Sequence, residues 1–167
     1  MSALIAGDGM RLRTVSPKIL MDDDPKLREI SAEVAVFGDE LARLVETMLE
    51  IASKRLARGL AAIQIGIPLR VMIARDDRYP AGRYEYLVFV NPIIERSLKR
   101  FEVQREGCLS LSPRFWGDVS RPAKCDAAWM DERGERQSAT LEGELARIFQ
   151  HELDHLDGVL MTDRLVA

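Results

Sequence analysis

The chain contains two histidines, and they lie four residues apart at His151 and His155. Apolar residues recur at helical spacing around them, which predicts a helix from about Gly143 to Leu156. Residues four apart on an α-helix lie one turn apart on the same face, so both imidazoles can reach a single cation. Glu152 directly follows His151, where a general base can act on water beside such a cation. The pattern therefore predicts a metal site on the final helix, and the fold must deliver a further ligand to it.

That further ligand has to come from upstream of the helix. The segment fits the H-E-x-x-H-x-x-G pattern of one class of zinc protease, but Met161 stands where that class has a third histidine. A thioether is a poor substitute for imidazole. None of the 12 residues after His155 is a Glu, which excludes a second common arrangement. Cys108, preceded by Gly107, is the best remaining candidate because a thiolate is a strong ligand. Cys125 lies in an apolar strand pattern, which indicates a buried core thiol.

Short β-rich runs separate two predicted helices, which indicates an α+β domain. The first helix is predicted to begin at Asp39 and to stop at Gly59. The predicted strands are Leu69–Ala74, Tyr86–Asn91, Phe101–Arg105, Cys125–Met130 and Arg136–Leu141. A hairpin turn joins the last two. We expect residues 1–16 to form a loose arm and residues 17–167 to form one domain, with mostly antiparallel sheets packed around the C-terminal helix.

Charge and cysteine content exclude several classes of protein. The 24 Lys and Arg residues against 27 Asp and Glu give a net charge of −3, whereas nucleic acids and anionic membranes are usually bound by a basic excess. Two cysteines are too few for a disulfide-dense secreted scaffold, and no window approaches the ~20 apolar residues of a membrane span. We therefore expect no direct nucleic-acid or membrane partner, no targeting segment and a cytoplasmic location.

Three segments of the chain are GLAAIQIG at residues 59–66, EGCLS at residues 106–110 and QHELDHLDG at residues 150–158. Together, and in this order, they resemble the peptide deformylase family. Residues 19–20, 24–28, 91–92 and 163–165 fit the family too, so the resemblance covers nearly the whole chain. It implies the family's fold and a metal-dependent hydrolase. Such an enzyme removes the formyl group from the N-terminal formyl-methionine of nascent polypeptides and releases formate.

The resemblance also implies a role for each matching residue of the reaction centre. The metal ligands would be Cys108, His151 and His155. They would hold one divalent ion, with Fe²⁺ expected in vivo and Zn²⁺, Ni²⁺ or Co²⁺ able to take its place. Glu152 would carry the proton, while Gln64 and the backbone N–H of Leu109 would stabilise the developing oxyanion.

The substrate is expected to lie as an added strand along residues 59–64, recognised through its backbone. The expected substrate-binding positions are Gly59, Arg58, Gly107, Glu144 and Ile148. The partners implied are formylated nascent peptide N-termini, and the enzyme is expected to be a monomer. Many bacterial members dock on the ribosome through a basic C-terminal extension. The sequence stops at Ala167, so docking by that route is not expected.

Two of these positions depart from the family pattern. Arg58 stands where the family has an aliphatic residue, and Glu144 stands where Leu is common. Glu144 lies two turns before His151 and should share its metal-facing side. We expect Arg58 and Glu144 to pair across the mouth of the methionine pocket or to bind a polar substrate side chain, unless both extend into solvent. The alternative functions are action on another N-acylated peptide or amide, and metal binding without catalysis.

Overall fold

The computed structural model describes residues 18–78 and 85–166 of the chain. Its α-helices are α1, Asp39–Arg55, and α2, Gly143–Leu156. The strands are β1 (Gly59–Ala61), β2 (Val71–Asp76), β3 (Glu85–Ser97), β4 (Phe101–Glu106), β5 (Gly117–Pro122), β6 (Lys124–Met130) and β7 (Arg136–Glu142). The arm predicted at residues 1–16 lies outside the described residues. Within them, no helix has the combined length and apolar character that crossing a bilayer requires.

The described strands form two antiparallel sheets, which confirms the predicted α+β class. Five strands make one sheet in the order β1-β2-β3-β6-β7, and β4 pairs with β5 in the other. The predicted hairpin between β6 and β7 is present. Its turn has Gly134 at φ +82°. The Asp131 carboxylate accepts hydrogen bonds from the backbone N–H groups of Arg133 and Glu135, which holds the turn closed.

The five-stranded sheet is covered by α1 on one face and by α2 on the other. Side chains along β2 alternate between the two faces: Met72 packs in the core with α2, whereas Val71 and Ile73 pack in the core with α1. All three are fully buried. Because successive strand residues point to opposite faces, a strand covered on both sides requires an unbroken apolar run. On the α2 side, the rings of Phe149 and Phe89 meet edge to face with centroids 5.0 Å apart.

The end of α1 differs from its prediction. The helix ends at Arg55 because Leu56 takes a left-handed conformation, φ 53° and ψ 36°, and its N–H caps the last turn by donating to the carbonyl of Ala52. The predicted stop at Gly59 is therefore wrong. Gly59 begins β1, where a Cβ would overlap the carboxylate of Glu152. The glycine is needed for close packing against α2 and not for ending a helix.

The sequence patterns do not predict β1 and β5, and β2 and β3 differ from their predicted limits by more than one residue. β1 and β5 are short or polar and carry no clear period-two pattern. β2 begins at Val71 instead of Leu69. β3 continues past Asn91, which has φ +50° at an irregularity in the pairing with β6. The Asn91 amide accepts from Val34 N–H at 2.8 Å and donates to Val34 C=O at 3.0 Å. This long-range contact stabilises a conformation that the local sequence does not indicate.

Candidate metal centre

α2 carries the histidine pair in the interior of the protein. The helix contacts strands of both sheets, so most of its surface is covered. His151 is 7% exposed and His155 is 1% exposed. Their ring centroids lie 5.2 Å apart, as expected for residues one helical turn apart. The helix predicted from the apolar periodicity around the histidines is confirmed with its predicted limits.

Cys108 brings a third donor atom to the pair from the loop after β4. Its Sγ lies 3.2 Å from His155 Nε2, and one donor atom from each of the three predicted ligands lies within 4.8 Å of the others. In a tetrahedral zinc site with Zn–S of ~2.3 Å and Zn–N of ~2.0 Å, a sulfur and a nitrogen ligand are ~3.5 Å apart. The spacing and chemistry of this donor set therefore fit one divalent cation.

Two N–H groups point at the Cys108 sulfur. The backbone N–H of Ser110 donates to Sγ at 3.4 Å, and the Gln64 side-chain amide donates to it at 3.6 Å. Gln64 is itself fixed, because its Nε2 donates to Ser110 Oγ at 3.1 Å and its Oε1 accepts from Ala61 N–H at 2.9 Å. Gln64 is 2% exposed but still lines the cleft beside the thiol. Both contacts therefore direct N–H donors at the sulfur that would bind the metal.

Glu106 is a candidate functional residue that the sequence patterns do not identify. It is buried, and its Oε2 lies 2.9 Å from His151 Nδ1, so the other ring nitrogen of His151 remains for a metal. A carboxylate in this position fixes the orientation and tautomer of a metal-binding imidazole. A carboxylate partner for His151 could be expected in general, because metal-binding histidines commonly have one. The sequence offers 27 acidic residues and no indication of which one folds against His151.

Two buried arginines neutralise Glu106. Arg121 contacts it through Nε at 2.7 Å and Nη2 at 3.1 Å, and Arg147 donates to it at 2.6 Å. Burial opposes ionisation, but hydrogen bonds from His151 and Arg121 outweigh it and lower the pKa of Glu106 to about 2. Arg121 also contacts Asp154 on α2 at 2.8 Å. The cluster thereby connects β4 and β5 to α2.

The two imidazoles have opposite tendencies to carry charge in the metal-free protein. Burial opposes charge on His151, but the neighbouring Cys108 and Glu106 raise its pKa to about 10. Burial, together with the charge of His151, holds the pKa of His155 well below its ordinary value. A cation that binds here therefore displaces a proton from His151 and meets a neutral His155.

Glu152 lies beside the three donors with one oxygen free. It is 4% exposed, and its Oε2 has no hydrogen-bond partner within the described residues. Burial, above all other causes, raises its pKa to about 7. A carboxylate with such a pKa can accept and return a proton near neutral pH. Gly59 leaves space for it, because a Cβ there would overlap Oε1.

A cleft of about 330 Å³ opens onto these residues. Every predicted substrate-binding residue lines it, and so does Leu109. Ile148 lies between Glu144 and Glu152 along α2 and would be 2.7 Å from a Cβ at Gly59. Trp116 covers Gly107, with ring atoms 3.1 Å from the position of a Cβ there. The cleft thus has a narrow, partly apolar floor next to the carboxylate.

Arg58 and Glu144 form an ion pair across this cleft. The predicted pairing is therefore confirmed as geometry. Arg58 follows the end of α1, and Glu144 lies in the first turn of α2, so the pair joins two walls. Their side chains are 60% and 37% exposed. The pair belongs to the rim of the cleft and not to its buried floor.

Comparison with known proteins gives a consistent result. A family model described as polypeptide deformylase matches residues 16–167. The peptide deformylase of Rhizobium meliloti (strain 1021) is 40% identical over 150 residues, which span 90% of this chain and 84% of the relative. The peptide deformylase of Pelagibacter ubique (strain HTCC1062) is also 40% identical over 150 residues, with 88% and 84% covered.

Solved structures of peptide deformylases resemble this fold as well. The crystal structure of the Thermotoga maritima enzyme matches with a TM-score of 0.84 and 34% identity, covering 90% of this chain and 97% of that one. The structure of a Synechococcus elongatus peptide deformylase in complex with actinonin matches with a TM-score of 0.83 and 36% identity, covering 89% and 80%. The likeness therefore extends over the fold and the cleft-forming segments together.

Proposed function

The chain belongs to the peptide deformylase family, and we propose that its cleft presents a formylated peptide N-terminus to a cation held by Cys108, His151 and His155. Its activity is the metal-dependent hydrolysis of the N-formyl group of nascent polypeptides, which releases formate. The observation that carries the assignment of roles is the convergence of these three donors beside the partly unpartnered carboxylate of Glu152. The relatives named above are all peptide deformylases, so they give no support to another N-acyl substrate or to a silent metal-binding role.

The cation is proposed to be Fe²⁺ in vivo, with Zn²⁺, Ni²⁺ or Co²⁺ able to replace it. A ligand set of one thiolate and two imidazoles suits all four ions. When bound, the cation would supply Lewis-acid polarisation and lower the pKa of water. Glu106 would hold the His151 ring in place, since it occupies the Nδ1 side of the imidazole at 2.9 Å.

Glu152 is proposed to take a proton from the attacking water and to return it to the departing amine nitrogen. Its raised pKa suits both steps, because the carboxylate can be ionised before the reaction and protonated during it. Gln64 and the backbone N–H of Leu109 are proposed to donate hydrogen bonds to the formyl oxygen as it becomes negative. The position of Gln64, 3.6 Å from the Cys108 sulfur, supports this role.

The peptide is proposed to bind as an added strand along β1. This strand is at the edge of the five-stranded sheet, so its outer side is open to a further strand. Gly59, Gly107 and Ile148 would form the floor beneath the first side chain. The ion pair of Arg58 with Glu144 would bound the pocket for that side chain and set its polarity.

We propose residues 17–167 as a single catalytic domain that acts as a monomer in the cytoplasm. The family model spans almost this whole range, and the hydrophobic cores on both faces of the larger sheet contain residues of β1, β2 and β3. Nascent polypeptides are the substrate, which is the reason for proposing the cytoplasm.

The assignment of Glu152 is tested by formate release from formyl-Met peptides, with protein purified anaerobically and its metal content measured. We expect Glu152→Gln to bind metal as wild type does and to lose about 10²- to 10⁴-fold in kcat, the range typical of general acid–base catalysis. Glu40→Gln, at an exposed position of α1, is the control and should retain full activity. An active Glu152→Gln enzyme rules out the proposed proton carrier.

A further inference from the structure

The exposed rim of the cleft carries positive charge that no neighbouring acid neutralises. Arg55, the last residue of α1, and Arg105, on β4, both line the cleft, and both are exposed. Neither guanidinium has a hydrogen-bonded or ion-paired partner among residues 18–78 and 85–166. Asp118 is the cross-strand neighbour of Arg105, but no ion pair joins their side chains within those ranges.

The acids that line the cleft leave this charge uncompensated. Glu106 and Glu152 are buried, and Glu106 already pairs with two arginines. Glu144 pairs with Arg58. Among the residues that line the cleft, the exposed or half-buried charged side chains are therefore Arg55, Arg58, Arg105 and Glu144. The protein as a whole has a net charge of −3. The rim is locally positive against an acidic background, and this favours an anionic group in the cleft.

The two arginines flank the reaction centre from different walls. Arg55 is four residues before Gly59, which packs on Glu152, and Arg105 is three residues before Cys108. They lie at the mouth, while the floor holds the groups that would meet the formyl group and the first side chain. In the proposed binding mode, the second and third residues of the peptide would reach the mouth. A carboxylate is the anionic side chain that a peptide offers, and guanidinium binds it with charge-assisted hydrogen bonds.

We propose that Arg55 and Arg105 select formylated peptides with an acidic second or third residue. This inference rests on the proposed function, since it concerns the peptide in the same cleft. Both arginines are exposed, so each contact is weak, and the preference amounts to about threefold to tenfold at low ionic strength. Salt screens such contacts, so the preference falls as salt is added.

The experiment measures kcat/KM of the metal-loaded enzyme on three peptides: formyl-Met-Glu-Glu-Ser, formyl-Met-Gln-Gln-Ser and formyl-Met-Lys-Lys-Ser. We expect the order Glu, Gln, Lys from fastest to slowest, with a Glu-to-Gln ratio of about three to ten at roughly 20 mM salt. The ratio should approach one at about 0.5 M salt. Equal rates on the Glu and Gln peptides at low salt would overturn the proposal. Absence of formate release from all three peptides would instead count against the proposed function.

Variants assign the preference to the two residues. The Arg55→Gln/Arg105→Gln enzyme should show a Glu-to-Gln ratio near one, and Arg105→Glu should favour the Lys peptide. Arg43→Gln is the matched control, because Arg43 is also exposed but lies twelve residues, about 18 Å, before Arg55 along α1. It should keep the wild-type ratio. A ratio that survives in the double variant, or that Arg43→Gln lowers equally, would overturn the assignment.

Discussion

α2 carries two arginine–carboxylate clusters that differ in burial. In the interior, Arg147 and His151 contact Glu106, and all three side chains are between 6% and 8% exposed. At the rim, Glu144 contacts Arg58, and these side chains are 37% and 60% exposed. Exposed charges stay hydrated whether or not they are paired, whereas buried charges depend on their partners. The interior cluster therefore fixes the ring of His151, a proposed metal ligand, whereas the residues of the rim pair can be replaced at little cost in stability.

Removing Glu106 should have the largest effect. Glu106→Ala leaves Arg121 and Arg147 without their shared partner in the interior, and we expect a loss of about 3–5 kcal/mol in the free energy of unfolding. Metal affinity should fall by about 10- to 100-fold because His151 loses its orienting carboxylate. Denaturant unfolding and chelator competition measure the two effects.

Removal of the carboxylate of the rim pair is the control for Glu106→Ala. Glu144→Ala should change the free energy of unfolding by no more than about 1 kcal/mol, because its partner stays hydrated. Equal destabilisation by Glu106→Ala and Glu144→Ala would show that burial does not separate the two clusters.

Acid should weaken the interior cluster at a characteristic pH. The pKa of Glu106 is lowered from 4.5 to about 2 on folding, so its stabilisation is complete above pH 4.5 and is lost as the pH falls towards 2. By linkage the contribution is about 3 kcal/mol. In metal-free protein, the stability gap between wild type and Glu106→Gln should shrink by that amount between pH 5 and pH 2. A gap that stays constant over this range argues against the ionised, paired carboxylate.

Replacing the rim pair should give the smallest change in stability and a clear change in specificity. Arg58→Ile/Glu144→Leu should unfold within about 1 kcal/mol of wild type. Because the pocket loses its polar boundary, kcat/KM for formyl-Met peptides should rise relative to peptides with formyl-Gln in first place. Methionine favoured to the same degree by both proteins would mean that the pair does not bound the pocket.

The placement of the candidate site residues was predictable from sequence where the signal is local or follows by elimination. Apolar residues at helical spacing predict the limits of α2, because helical periodicity is a property of the segment itself. The absence of a third histidine and of a downstream Glu leaves Cys108 as the predicted third ligand, and its sulfur lies beside the two imidazoles. Arg58 and Glu144 were singled out as departures from the family pattern, and they pair.

Features that depend on distant parts of the chain were not predictable in the same way. Glu106 and His151 are 45 residues apart in sequence, and only the fold brings them together. The local sequence predicts a helix stop at Gly59. Its lack of a side chain instead allows close packing against Glu152. β1 has three residues, too few for a period-two pattern to be recognised. In each case the missing information is a tertiary contact.

X-ray absorption spectroscopy of the zinc-loaded protein tests whether Cys108 completes the metal site. We expect one sulfur at ~2.3 Å and nitrogen or oxygen ligands at ~2.0–2.1 Å. The sulfur signal should disappear in Cys108→Ala and persist in Cys125→Ala, because Cys125 is buried in the core on β6. A wild-type spectrum without sulfur, or a sulfur signal that survives in Cys108→Ala, is incompatible with the proposed ligand set.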